Sequence, residues 1–507
     1  MTAKRSAPLS VRKPIADIGS DAGSHALRAS LGPMHLLLLG VGSIIGAGIY
    51  VMTGSAAAHF AGPAVLLSFV VAGSACAFAG LCYAELASTM PVSGSAYVYA
   101  YAALGEVAAW GLGWLLLLEY ALAGSTVAVG FSGYLVSLLA TFGVRVPPEI
   151  ATPLIRSITV PGGYRFFSGG GVNLIAGGAV LVMAAPLIIG VRQSAAINSC
   201  IVALKSTVLI AFVVFGASAV NWTHFTPFMP PNEGGFAFGW PGVFRAASVI
   251  FFAYLGFETV STAAGEARNP QRDVPFGILG SLVICTLLYI AVATVLIGVV
   301  PYRQLGVVDP LAAAVDAIAI PWLLVFVKVG AVIGLTSILL STCYAQSRIF
   351  YAMGRDGLLP PIFSALHPRF RTPWLGTIVI AVGMALAAAL LPITLLGDLI
   401  SLGTASSFAI VCFAVIWLRN AEPGLLRPFR VPLGGVWIKG RWIGVVPVLG
   451  IIMCLVMVAP LGSDLVIKAL HGDFVPAAVL LGYLAVGALT YALYGIRHSI
   501  LGRRGQS

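Results

Sequence analysis

In a chain of 507 residues, 59% are apolar and only 9% charged, against about 25% charged in an ordinary soluble domain, so the protein is an integral membrane protein. The net charge of +11 does not point to nucleic acid. With successive apolar runs alternating inward and outward, most of the 28 Lys and Arg fall on one side, and the positive-inside rule then places both termini in the cytoplasm.

The N-terminal stretch, 1–33, carries Lys4, Arg5, Arg12 and Lys13 but no short apolar core with a cleavage site. It is expected to be a cytoplasmic tail rather than a signal peptide. Runs long enough to cross about 30 Å of hydrocarbon follow at 34–53, 63–88, 97–138, 172–191, 197–221, 242–264, 275–300, 323–352, 374–395, 398–418, 441–461 and 474–495. The third is too long for one crossing, so it is expected to tilt strongly or to extend into an outer loop. Outer segments are expected at 143–171, with Arg145, Arg156 and Arg165, and at 301–321, with Asp309 and Asp316. The stretch 419–441 is basic and proline-containing, which suits a linker lying against cytoplasmic headgroups. A cytoplasmic tail, 496–507, closes the chain.

Cys76, Cys82, Cys200, Cys285, Cys343, Cys412 and Cys454 all fall in predicted spans without metal-type spacing, so neither disulfides nor a metal is expected. No cofactor is expected either. Asn221-Trp-Thr fits a glycosylation pattern but lies beside the membrane and carries little weight.

The first and sixth runs share a peculiarity. Gly42-Ser-Ile-Ile-Gly46-Ala-Gly48-Ile-Tyr50 sets three glycines in the middle of one, and Phe251-Phe-Ala-Tyr-Leu-Gly256-Phe-Glu258 sets a glycine and a carboxylate in the other. Glycines in membrane helices are more often packing notches, and Gly42-x-x-x-Gly46 fits that alternative. The matching interruption beside an ionisable residue favours broken helices. Interruptions five spans apart mark inverted-topology repeats with the solute site at their interface. The expected fold is an all-α membrane protein of twelve transmembrane helices, with repeats at 34–221 and 242–418, helices 1 and 6 broken, and a C-terminal pair at 441–495.

Several strings carry a resemblance: Gly40-x-Gly-Ser-Ile-Ile-Gly-Ala-Gly-Ile-Tyr, Tyr83-Ala-Glu-Leu, Pro91-x-Ser-Gly-Ser-Ala-Tyr, Phe251-Phe-Ala-Tyr-Leu-Gly-Phe-Glu, Glu266-Ala-Arg-Asn-Pro-Gln-Arg-Asp-Val-Pro and Ser347-Arg-Ile-Phe-Tyr-Ala-Met-Gly-Arg-Asp-Gly-Leu-Leu-Pro. The chain resembles the amino acid/polyamine/organocation transporter superfamily, and within it the bacterial relatives of the cationic amino acid transporters. That resemblance implies a five-plus-five inverted repeat, alternating access, and an amino acid substrate.

A zwitterion can be dehydrated only against matched partners, which a broken helix supplies from its backbone. The carboxylate is assigned to the amides of Gly46, Ala47 and Gly48. The ammonium is assigned to the carbonyls of Phe252, Ala253 and Leu255 around Gly256, assisted by that of Ile44, as in similar transporters. Lys205 stands alone inside 197–221, where an ammonium costs about 2.5 to 3.5 kcal/mol on insertion scales. It either snorkels to the interface or sits against span-one carbonyls near Gly42 and Ile45 and the hydroxyls of Thr336 and Ser337. In sodium-coupled proteins of similar fold the corresponding place holds sodium. Burial disfavours the charged form and carbonyls favour it, leaving a group able to release its proton as access switches, so proton coupling without sodium is expected.

Glu119 and Glu258 either line the substrate site or are structural. A cationic side chain would use one of them, whereas a small neutral one would meet Leu335. Glu85, Glu266, Arg268, Arg272, Arg348, Arg355 and Asp356 are either a cytoplasmic gate or topological anchors. Among Phe251, Phe252, Tyr254, Tyr97, Tyr99 and Tyr101, Phe252 is the expected gate. A channel lacks support because no repeated filter or charged ring is present. An enzyme lacks it because the seven histidines form no His-Glu-x-x-His pair. The expected partners are an amino acid, protons and membrane lipid, with a small membrane subunit left open and no nucleic acid. The expected location is the plasma or inner membrane. An exchanger or a non-transporting sensor is the alternative function.

Overall fold

The computed structural model describes residues 31–90, 95–160, 163–190 and 195–500. Among them nine helical stretches are long and apolar enough to cross a membrane, and two shorter apolar helices, Leu174–Ile189 and Trp374–Leu390, accompany them. The first stretch, Pro33–Thr89, covers 57 residues. It is interrupted after Ile44 and turns at Gly62, where φ is +59°. Proline opens the helices at Pro33, Pro270, Pro310 and Pro321, where its missing N–H has no intrahelical acceptor to lose.

The structure adds detail to the sequence expectation at three places. The third run contains two helices, Ser95–Ala103 and Glu106–Thr141, separated where Gly105 adopts φ +99°; the second alone has 36 residues. Two small antiparallel hairpins interrupt the all-helical scheme, Ile155–Val160 with Gly163–Ser168 and Gly435–Ile438 with Arg441–Gly444. The segment 301–321, expected to lie outside, contains the helix Pro310–Ile318. Leu31 pairs with the backbone of Glu266 and Arg268 (3.0 and 2.9 Å), and Ser499 donates to the buried Glu106 while Ile500 N–H reaches the Asp356 carbonyl. Pro91 to Gly94 of the Pro91 motif, Arg192 and residues 501–507 lie outside the described residues.

Two charged clusters fasten the helix ends. Arg245, fully buried on Gly239–Ile250, donates to both oxygens of Asp398 (3.0 and 2.7 Å) and to Asp464 (2.9 Å), which also accepts from Lys468 (2.8 Å). The Phe60 ring lies 4.7 Å from its guanidinium. At the other end, Glu85 accepts two bonds from Arg419 and one from the Val431 N–H (2.7 Å). Glu85 therefore meets the end of Ile393–Ala421 rather than the arginines near 268 or 348. Breaking a buried pair from one side costs about 3–5 kcal/mol because the partner charge is stranded. Arg245→Ala is accordingly expected to lower the thermal unfolding midpoint of the purified protein strongly. An unchanged midpoint would mean that the cluster contributes little.

Candidate functional site

The helix Pro33–Ile44 ends because Ile45 turns extended (φ −68°, ψ 99°), and winding resumes as a wide π-type turn over Gly48–Met52. The helix Gly239–Ile250 tightens into a 3-10 turn at Phe251–Tyr254, then Leu255 turns extended (ψ 135°) and Gly256 takes φ +122°. The two interruptions pack backbone to backbone. A Cβ on Gly48 would overlap the Cα of Ala253, and one on Gly256 would overlap the Ser43 carbonyl. Glycine is required at both places, at Gly256 by its positive φ as well. Gly42 and Gly46 are in addition packing notches, against Val202 and Ile338, so both readings of the glycine string apply.

A helix end leaves four carbonyls without intrahelical partners, and here side chains from other helices take several of them. Lys205 Nζ donates to the carbonyls of Gly42 (2.5 Å) and Ile45 (3.1 Å), and the Tyr289 hydroxyl donates to that of Ile44 (2.8 Å). Lys205 is completely buried, so it does not snorkel. Among the described residues its bonds go to these two carbonyls and not to Thr336 or Ser337. The Thr336 hydroxyl instead donates to Val332 of its own helix (2.7 Å), the local alternative open to a mid-helix threonine. The lysine stem lies against Gly334, where a Cβ would come within 2.8 Å of its Cγ. That glycine, two residues before Thr336, is what makes room for it.

Glu258 folds back into its own break. Its Oε2 accepts from the Gly256 N–H (2.8 Å) and its Oε1 from the Tyr120 hydroxyl (3.1 Å). Glu119, one residue before Tyr120, is fully buried, and among the described residues neither of its oxygens has a hydrogen-bond partner, although Thr404 and Ser407 lie beside it.

The aromatic candidates separate. Tyr97 donates to Asp356 (2.8 Å) and Tyr101 to Glu106 (3.0 Å), away from the breaks. Tyr254 turns to the Phe69 carbonyl (2.9 Å), and Phe251 packs on Phe408. Phe252 and Ala253 sit in the tightened turn, both buried.

Residues 31–483 match the model of a family described as amino acid permease. The chain belongs to the amino acid permease family. Two Bacillus subtilis proteins resemble it over almost their whole length: a methylthioribose transporter, 38% identical over 97% of this chain and 99% of its own, and the branched-chain amino acid permease BcaP, 39% identical over 97% and 98%. The vacuolar cationic amino acid transporter 4 of Arabidopsis thaliana is 37% identical over 79% of this chain and 65% of its own. The permease is therefore a multi-pass membrane transporter and not an enzyme.

Sequence reasoning missed three parts of this permease's site: Tyr289 on the Ile44 carbonyl, Tyr120 on Glu258, and the Gly334 notch. The two carboxyls of the permease should respond differently to amide substitution. Glu258→Gln puts an NH2 group against an existing donor and costs about 1–3 kcal/mol, so its unfolding midpoint should fall. Glu119→Gln keeps the side chain's size and an acceptor oxygen for Thr404 and Ser407 beside it, so its midpoint should hold while uptake changes. Parallel uptake and unfolding measurements check both, and a midpoint loss confined to Glu119→Gln would reverse the assignment.

Proposed function

We propose that the chain is a secondary active transporter that carries amino acids by alternating access, coupled to protons through Lys205 and independent of sodium. It works in the plasma or inner membrane with both termini cytoplasmic. Its twelve crossings form two inverted repeats of five, broken in helices 1 and 6, followed by a helix pair. What supports this most is the Lys205 ammonium on the Gly42 and Ile45 carbonyls at the end of the broken helix Pro33–Ile44. A fixed cation satisfies groups that would otherwise need a metal ion, and its buried charge can be relinquished as a proton.

The substrate carboxylate meets the amides of Gly46, Ala47 and Gly48, and the ammonium meets the carbonyls of Phe252, Ala253 and Leu255. Access to the Ile44 carbonyl requires sharing it with Tyr289 or displacing that hydroxyl. Phe252 covers the bound solute. Glu119, with two unused acceptor oxygens, faces the substrate side chain, whereas Glu258 holds the second break in shape. The range extends over alanine-like and cationic amino acids, in keeping with relatives named for branched-chain and cationic amino acids.

The methylthioribose transporter relative favours a second reading, a neutral thioether sugar, which would use neither end of a zwitterion site. Thermal unfolding of the purified protein with each of the twenty amino acids and with methylthioribose separates the two. A ligand at 100 times its Kd stabilises the folded form by about 2.7 kcal/mol. Shifts with several amino acids support the first reading. A shift with methylthioribose alone replaces it.

A further inference from the structure

The connection between Ile393–Ala421 and Val445–Leu470 contains a formed hairpin. Gly435–Ile438 pairs with Arg441–Gly444, with Trp437 opposite Trp442 and Ile438 opposite Arg441, about a two-residue turn in which Lys439 and Gly440 both have positive φ (50° and 75°). Such a turn matches the twist of paired strands. The second strand is anchored. Asn420 bonds both the N–H and the carbonyl of Trp442 (2.7 and 2.9 Å), and the Arg419 guanidinium lies 4.0 Å from the Trp442 ring while it also donates to Glu85.

Among the described residues the first strand is anchored only through its partner strand, and all four of its residues are exposed. Val436 is 59% exposed, Trp437 65% and Ile438 51%, with Leu433 beside them at 70%. A two-stranded hairpin is marginal in water, and this one leaves Val436, Trp437 and Ile438 exposed, Val436 and Ile438 on one face and Trp437 on the face it shares with Trp442. Two observations fix what covers them. Arg441–Gly444 runs without a gap into Val445–Leu470, a helix of membrane-crossing length, so the hairpin lies within a few strand residues of the hydrocarbon. At its tip Lys439 and Arg441 are exposed, a charge complementary to anionic headgroups, and tryptophan favours that boundary.

We propose that this hairpin is a lipid-engaging element: Val436 and Ile438 enter the interface of the adjacent leaflet, Trp437 lies at its boundary, and Lys439 and Arg441 hold anionic headgroups. Because its anchored strand grips Arg419, and Arg419 grips Glu85 at the end of Val65–Thr89, the lipid surface becomes mechanically continuous with two of the membrane helices. The inference is independent of what solute the protein carries.

The test uses the full chain with its exposed thiol removed (Cys200→Ser) and a Val436→Cys substitution carrying an environment-sensitive fluorophore. The protein is reconstituted in vesicles of phosphatidylcholine alone or of phosphatidylcholine and phosphatidylglycerol in equal parts. Blue-shifted emission and loss of quenching by acrylamide, a neutral aqueous quencher, are expected with phosphatidylglycerol. Both should revert when Lys439→Gln and Arg441→Gln are added. Quenching that is equal in both vesicles and complete would leave the hairpin in water. Protection that is equal in both and indifferent to the two substitutions would assign it to a contact without anionic lipid. Either result overturns the proposal.

Discussion

Lys205→Ala is expected to reduce amino acid uptake by about a hundredfold or more and to abolish whatever pH response the parent shows. The substitution leaves the Gly42 and Ile45 carbonyls buried without a donor, at about 1–3 kcal/mol each, and each 1.36 kcal/mol of transition-state loss is tenfold in rate. It also removes the cation that is bonded to the first break. Uptake into proteoliposomes across a range of external pH, alongside thermal unfolding, separates a coupling role from a packing role. Lys205→Met fills the same space without charge, so it should recover part of the stability and none of the pH response. If Lys205→Ala kept the parent's pH response, the coupling role would be wrong.

Gly48→Ala is the second large effect. The added methyl would occupy the place of the Ala253 backbone, and because the obstacle is main chain rather than the tip of a flexible side chain, the two breaks must separate. Overpacking of this kind costs about 1–3 kcal/mol, which a stable membrane protein survives, so folded protein with uptake near background is expected. Gly42→Ala meets only the Val202 side chain, which can rotate, and should be milder. Near-parental uptake by Gly48→Ala would show that the contact between the breaks is not part of the transport cycle.

Much of this arrangement is written in the sequence at places where a residue contradicts its surroundings. Glycines and a glutamate inside apolar runs predict the interruptions at Ile45 and Leu255, and a lone lysine predicts that its charge needs a partner, because each would be costly in an unbroken lipid-facing helix; placing that partner near Gly42 and Ile45 rests on the family resemblance. Tyr289 is not legible in the same way, since a tyrosine blends into an apolar run and its bond joins residues 245 apart in sequence. Arg245, Asp398 and Asp464 are visible as charges in membrane segments, yet their pairing spans separations of 153 and 219 residues and leaves no local period. The division at Gly105 is hidden for a different reason. Among 59 glycines, several of which take a positive φ, nothing local singles out Gly105 as the one that divides this run. The Thr336 hydroxyl donates to its own helix, an option that leaves no mark in the sequence.

The most direct measurement of the central claim is solute accumulation in sodium-free proteoliposomes under an imposed inward proton gradient, with radiolabelled alanine and arginine as probes. The account predicts accumulation above equilibrium that collapses with a protonophore and is absent in Lys205→Ala. Uptake that only equilibrates whatever the proton gradient, or that requires an amino acid on the opposite side, would contradict it.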